Sequence, residues 1–458
     1  MNGPRDIVVL LPGITGSVLA NARGQEVWNT SAGAAWRAAV SFGGSIKDLE
    51  LAADGDPGGV TSPRLIPGLT IVPGLMKIDG YTRLEDYFVS RLGLVAGRNY
   101  FAFPYDWRLD NRINARRLEQ VTGDWLKAWR DQSGAADAKL VLIGHSMGGL
   151  VARYFLECLG GWKSTRALIT LGTPHRGSLN AVDFLVHGLK KGIGPLGVDI
   201  SPLLRSFPSV YQLLPTYPCI DAGGPELERI AEAAAAGHLP NVHVDRARDA
   251  RAFHQEIEDA QAANALDAAY VEGGYQLVPL AGIEQPTFQS ARSAGGKVEL
   301  LRSYQGDELA GDGTVPRPSA TPLEFKQKDN QLFAADMHGS LQNGEATWTN
   351  LKGILTQANI DFSRFRAELP TPLTLDFDDV VLPGEPLHIR AKAAEGNPPI
   401  EAILTHTPTG QVITESLARA PEPGWQFAEF DLVPGTWRVR IEAPNASPVT
   451  DLAIVAEP

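Results

Sequence analysis

The stretch KLVLIGHSMGGLVARYFLEC, residues 139–158, constrains the fold of this chain more than any other. LVLI, after Lys139, is a continuous apolar run, the mark of a strand buried on both faces. It breaks at Gly144, and an apolar pattern of helical period begins a few residues later. A strand must therefore pass into a helix through His145-Ser146-Met147-Gly148, a turn so tight that only glycine fits at 144 and 148. Such a turn holds the Ser146 hydroxyl out at the carboxyl end of a sheet. It also leaves the Met147 N–H at the positive end of the helix dipole, where it can donate to an oxyanion. In a chain with 47 glycines GxSxG alone carries little weight, and a serine N-cap after a glycine-rich turn is the bland alternative. The strand before it and the helix after it supply the weight.

Five further runs repeat the strand pattern: IVVLL (7–11), NYFAF (99–103), RALITLG (166–172), YQLVPLAG (275–282) and NQLFAA (330–335). Between them RINARRLEQVTGDWLKAWRDQ reads as an amphipathic helix, with Leu118, Val121, Trp125 and Trp129 at helical spacing. This alternation, up to about residue 355, predicts a mostly parallel sheet flanked by helices. Residues 176 to about 270 interrupt it with apolar clusters and the tract LERIAEAAAAG. A structureless loop of that length is improbable, so a helical cap is expected. From Thr371 the text changes to short alternating strands broken by Pro and Gly, such as WQFAEFDL and TWRVRIEA. The expected organisation is a catalytic α/β domain over 1–365, capped at about 176–270, and a small β-sandwich over 371–458 joined through ELPTP.

The net charge of −12 argues against nucleic-acid binding and offers no general attraction to anionic membranes. Lipid contact would have to rest on apolar surface, which the cap could supply. Cys158 and Cys219 are the only cysteines, and neither CxxC nor a His-rich metal spacing occurs. No apolar run nears the roughly 20 residues needed to span a bilayer. These features predict a cytoplasmic protein that needs no cofactor and no metal.

A serine hydroxyl is a poor nucleophile until a base takes its proton and a carboxylate fixes that base's tautomer. In this fold class the order is Ser, Asp, His. LAGDGTVPRPS places Asp312 in a turn after a strand, and FAADMHGSL places His338 in a loop after the next strand. Asp312 could equally be a turn former, with Asp307 and then Asp336 as rival acids. His175, in GTPHRGS, is the most serious rival base but precedes every credible acid. His145 should point away from the hydroxyl, and His388 and His406 fall in the sandwich. The expected triad is Ser146, Asp312 and His338.

The opening MNGPRDIVVLLPGITGSVLANA has two incompatible readings. Arg5, an apolar run and Ala20-Asn21-Ala22 resemble a secretory signal. Yet the apolar run is short, Asp6 sits in its head, and Pro12 and Gly13 interrupt it. An oxyanion hole needs a second backbone donor from a loop after an early strand, and the N–H of Ile14, or less favourably Thr15, fits that need. The opening is read as a strand and a catalytic loop.

LLPGITGS, VW at 27–28, FPYDWR, GHSMGGL, TLGTPHRGS, FPSVYQLLP and GDGTVP followed by MHGSL form an ordered set. Over residues 5–355 this set resembles the lecithin:cholesterol acyltransferase-like lipase family. The resemblance implies an α/β-hydrolase fold, the triad above, an oxyanion hole from Ile14 and Met147, and action on acyl esters of lipids. The chain lacks the cysteine pair of the animal members and adds the sandwich. Trp107 could line the acyl cleft and Arg108 could meet a head-group phosphate, or Asp106 and Arg108 could fix the loop as an ion pair. Tyr211 and Leu213, in SPLLRSFPSVYQLLP, could bind acyl chain or simply fill the cap.

The leading expectation is a serine acyl hydrolase, lipase- or phospholipase A-like, with acyl transfer to an alcohol as a variant. The alternatives are an esterase for small soluble esters and a catalytically silent scaffold whose sandwich binds an unknown partner.

Overall fold

A computed structural model of the chain describes residues 5–29, 49–51, 58–72, 76–188, 190–191, 198–199, 201–325, 331–356, 371–382 and 384–456. Most of the expected linker, ELPTP, lies outside the described residues, as does Asn330.

Six strands build the main sheet: β1 (Ile7–Leu11), β2 (Tyr100–Ala102), β3 (Leu140–His145), β4 (Thr165–Leu171), β5 (Gln276–Gly282) and β6 (Leu332–Ala334). Their spatial order is β6-β5-β4-β3-β1-β2, and every pairing is parallel. All five residues of β1 are fully buried, as a central strand covered on both faces requires.

Helices α1 (Thr82–Leu92), α2 (Asn111–Ser133) and α3 (Met147–Cys158) belong to the sheet region, α4 (Leu179–His187) and α5 (Val244–Asn264) to the insertion, and α6 (Glu345–Thr356) follows β6. Helix α2 starts where Asp110 caps the Arg112 N–H at 2.7 Å and stops at Gly134, whose φ of 72° ends the turn. Its apolar stripe, including Leu118 and Leu126, faces the core. Inside α3, Arg153 pairs with Glu157 at 3.2 Å and donates to the Tyr275 hydroxyl at 2.5 Å, tying the helix to the approach of β5.

The insertion is largely helical but not wholly so. Ile220–Asp221 pairs with Ser290–Ala294, which turns at Gly295-Gly296 into Lys297–Leu301, forming a side sheet that the sequence patterning did not suggest. SARSAGGKVELL alternates too weakly to announce a hairpin.

The C-terminal region is a two-sheet sandwich of β7 (Thr371–Asp376), β8 (Leu387–Ala393), β9 (Glu401–His406), β10 (Val412–Ser416), β11 (Gln426–Phe430), β12 (Gly435–Glu442) and β13 (Val449–Val455), with three short edge pieces. Alternate residues such as Leu387, Ile389, Trp437, Val439 and Ile441 point inward and form a separate apolar cluster. That cluster also contains Ala335, with Met337 packed against it, both from the loop that leaves β6.

Candidate active site

Ser146 stands between β3 and α3 with φ 52° and ψ −124°, a backbone conformation costing on the order of 1–3 kcal/mol in an L-residue. Two backbone hydrogen bonds hold it there, Ser146 N–H to the Leu171 carbonyl at 2.9 Å and Gly149 N–H to the Ser146 carbonyl at 3.1 Å. Its hydroxyl makes no capping bond to α3, so the bland reading of the serine as an N-cap does not apply. A Cβ at Gly148 would lie 2.5 Å from the Pro12 carbonyl oxygen and 2.6 Å from that of Leu11. Glycine there lets the helix start sit directly on the backbone leaving β1.

His338 Nε2 lies 2.9 Å from Ser146 Oγ, and His338 Nδ1 lies 2.7 Å from Asp312 Oδ2. The other carboxylate oxygen accepts the N–H groups of Thr314 at 2.9 Å and Val315 at 2.6 Å. The His338 N–H donates to the Asp312 carbonyl at 2.8 Å. All three side chains are buried. An acid turned by its own loop thus fixes the imidazole with Nε2 free to accept from the serine, an arrangement suited to proton abstraction. Gly172, at the end of β4, lies under this pair. With φ 57° and a Cβ that would sit 2.8 Å from Asp312 Oδ2 and 3.0 Å from His338 Nδ1, that position admits no side chain.

The rival groups lie elsewhere. Asp307 is exposed in a tight turn with Tyr304. Asp336 turns toward the sandwich, where burial raises its pKa to about 7, opposed by Arg440 and the Thr450 N–H and reinforced by Glu345. His175 is bound to Thr170 Oγ1 at 3.3 Å. Burial, with the charge of Arg153 and then His254, holds its pKa well below the ordinary value.

The loop after β1 is fixed by a chain of bonds through Tyr81. Gly13 N–H donates to the Tyr81 hydroxyl at 2.8 Å, which meets His145 Nδ1 at 2.8 Å, while His145 Nε2 reaches the His338 carbonyl at 3.0 Å. Burial, with a smaller contribution from His338, lowers the His145 pKa to about 3. The ring is therefore neutral. Donation by Nε2–H to the carbonyl and acceptance by Nδ1 from the tyrosine satisfy every partner. Neither Tyr81 nor its link to His145 is announced by any local pattern, since 64 residues separate them.

Thr15 adopts a left-handed φ of 61° and its carbonyl accepts from the Trp28 indole at 3.0 Å. The Tyr105 hydroxyl donates to the Pro12 carbonyl at 2.7 Å and the Trp107 indole to the Ser17 carbonyl at 3.2 Å. The Gly13 N–H is committed to Tyr81, and the Met147 N–H opens α3 without an intrahelical acceptor.

Four residues expected at the substrate are all buried. Trp107 stacks edge-on against Trp28 and Phe207, behind the loop after β1. Arg108 grips Asp106 with two nitrogens, at 2.9 and 2.6 Å, and the Leu49 carbonyl with a third at 2.9 Å. This is the ion-pair arrangement rather than an open anion site. Tyr211 lies under Arg246 and accepts the His243 N–H at 3.4 Å, and the Leu213 carbonyl takes the Ser178 N–H at 2.8 Å.

Among the described residues no three His, Cys, Asp or Glu side chains gather as a metal site, and no helix is long and apolar enough to cross a membrane.

The profile of the lecithin:cholesterol acyltransferase family matches residues 37–256, a stretch that contains Ser146 and ends before Asp312 and His338. No curated protein matches the sequence. Among solved structures the chain is similar to the mature lipase BlEst2 of Bacillus licheniformis, at 15% identity and TM-score 0.32 over 78% of this chain and 93% of that one. The propeptide form of that lipase is similar at 13% identity and TM-score 0.33, over 99% and 94%. Phospholipase PlaB of Legionella pneumophila is similar at 12% identity and TM-score 0.33, over 84% and 89%. The Ser-His-Asp arrangement together with the family match supports serine-hydrolase activity on lipid esters.

Proposed function

We propose that this chain, a lipase- and phospholipase-like protein of the α/β-hydrolase fold, cleaves acyl esters of lipids through an acyl-enzyme on Ser146. The observation that carries the reading is the unbroken line from Asp312 through His338 to Ser146, with bonds of 2.7 and 2.9 Å. His338 Nε2 takes the serine proton as Oγ adds to the ester carbonyl. Asp312 stabilises the resulting imidazolium without itself becoming protonated. The oxyanion rests between the N–H groups of Ile14 and Met147. His338 then returns its proton to the departing alcohol, and water, or an acceptor alcohol in acyl transfer, releases the acyl group by the reverse steps.

Trp107 and Arg108 act in this reading as the frame of the oxyanion loop, and Tyr211 and Leu213 as cap core rather than acyl contacts. In this reading the cap is the part that meets a lipid surface, Leu266 being an exposed large apolar side chain near its end. The free thiols Cys158 and Cys219 suit a reducing compartment, the cytoplasm.

Ser146→Ala should abolish both turnover of a p-nitrophenyl ester and covalent labelling by a fluorophosphonate, while the wild type shows both. Undiminished turnover in the variant would remove Ser146 from the mechanism. Mass spectrometry of mixed phospholipids and neutral lipids after incubation identifies the head group.

A further inference from the structure

The strand Met76–Asp79 and the turn that follows it run between the sandwich and the active site. On the sandwich side, Lys77 Nζ lies 2.6 Å from Asp379 and 2.5 Å from Asp451. Asp79 is gripped by Arg438, Nε at 3.2 Å and Nη2 closer still. Lys77 and Asp451 are largely sheltered from solvent, so this ion cluster is more than a surface pairing. Burial acts against the Lys77 charge, yet the Asp451 and Asp379 carboxylates raise its pKa and keep it an ammonium.

On the other side the same segment holds the turn His338–Asn343. Asn343 Nδ2 donates to the Asp79 carbonyl at 2.8 Å, and Gln342 Nε2 to that of Gly80 at 3.1 Å. A Cβ at Gly339, next to His338, would fall 1.8 Å from the Lys77 carbonyl oxygen, so the two backbones touch. The segment ends at Tyr81, which carries the bonds to Gly13 and His145.

Two more contacts run the same way. Ala335 lies in the sandwich's own apolar cluster and Met337 packs against it, directly before His338. The buried amide of Gln285 donates to the carbonyls of Ala335 and Leu373, both at 2.8 Å, and accepts the Leu375 N–H at 3.1 Å. The loop bearing the imidazole is thus shared between the two domains.

We infer that the C-terminal sandwich is a built-in brace for the catalytic histidine, with Lys77 as the positioning residue through which Asp379 and Asp451 hold the 338–343 turn and the Tyr81 link. This rests on the hydrolase reading above. The sandwich then acts on chemistry rather than on capture of a lipid surface. Loss of the brace lowers kcat on a small soluble ester and leaves KM in place, because the misplaced imidazole weakens proton transfer in the transition state.

The test uses the full-length chain and p-nitrophenyl butyrate, well below the melting temperature, with folding checked by near-UV circular dichroism. Lys77→Met should lower kcat and the rate of fluorophosphonate labelling by about tenfold, with KM within about twofold, and Lys77→Arg should restore most of the loss. Ile389→Val, which thins the sandwich core away from the ion cluster, should lower the melting temperature and leave kcat unchanged. A folded Lys77→Met variant with wild-type kcat overturns the brace. If Lys77→Met does not fold, Asp379→Asn, which keeps the Asp451 partner, decides: a fall in kcat of about threefold supports the brace and none refutes it. Wild-type protein that neither labels nor turns over ester would instead sink the hydrolase reading, and so separates the two failures.

Discussion

Tyr81 satisfies two buried groups with one oxygen, accepting from the Gly13 N–H and meeting His145 Nδ1. Burial also raises its pKa far above the ordinary phenol value, so the hydroxyl stays protonated and able to serve both. Tyr81→Phe keeps the ring and strands both partners, each at a cost of roughly 1–3 kcal/mol. The loop after β1 then loses its tether, while the bonds from Asp312 to His338 and from His338 to Ser146 are not touched directly. Steady-state kinetics should show kcat reduced by about 10- to 100-fold with little change in KM, since the loss falls on the transition state. A variant with unaltered kcat would mean that the loop needs no such anchor. Ser146, Asp312 and His338, by contrast, each stood in a motif of fixed order in the sequence, although Asp312 follows β5 only after the excursion through the hairpin of Ser290–Ala294 and Lys297–Leu301. Tyr81 had no such marker, and Gly172 was visible only as one letter of TLGTPHRGS, with nothing to say that a side chain there would collide with Asp312 and His338.

At the scale of elements, the loop Tyr105-Asp106-Trp107-Arg108 presents the clearest case of two readings that only coordinates separate. Acid and base two residues apart fit an external phosphate site as well as a closed pair. Burial decides between them: Arg108 is fully enclosed and forks onto both oxygens of Asp106, which is itself buried. Arg108→Met leaves that carboxylate without its cation and should destabilise the protein by about 3–5 kcal/mol, read as a lower urea midpoint. Adding Asp106→Leu should recover much of the loss, because the unpaired charge goes with it. Losses that simply add in the double variant would show that the two do not act as a pair. Strands with long apolar runs, β1, β3 and β4, were readable from sequence almost to the residue. The hairpin Ser290–Ala294 and Lys297–Leu301 was not, because small and charged residues fill it and tertiary contacts with Ile220–Asp221 supply what its own pattern lacks.

For the molecule as a whole, the change to sandwich-like sequence in the C-terminal region was visible, but the contact of that region with the loop after β6 was not. Pattern can announce a sandwich; it cannot say that Ala335, from the hydrolase side, will complete its core. Asp336, between Ala335 and Met337, makes that contact sensitive to pH. In an unfolded chain its carboxyl ionises near 3.8, whereas burial moves it to about 7 in the folded protein. Between those values the folded state holds the extra proton, so stability falls as pH rises from about 4 to about 7 and levels off above. Asp336→Asn removes this dependence. At pH near 8 the variant should be more stable than the wild type by on the order of 2–4 kcal/mol, and near pH 4 the two should coincide. Urea midpoints at both pH values check this, and a gap of equal size at each would reject it.

The place of β1 in the sheet bears on how the chain comes to be built. Residues 7–11 lie between strands made of residues 100–102 and 140–145. During synthesis this wholly apolar segment therefore emerges long before either neighbour exists to cover it. Native pairing of that strand has to wait for about 90 later residues on one side and about 130 on the other, so its early shelter must come from transient collapse or from a chaperone.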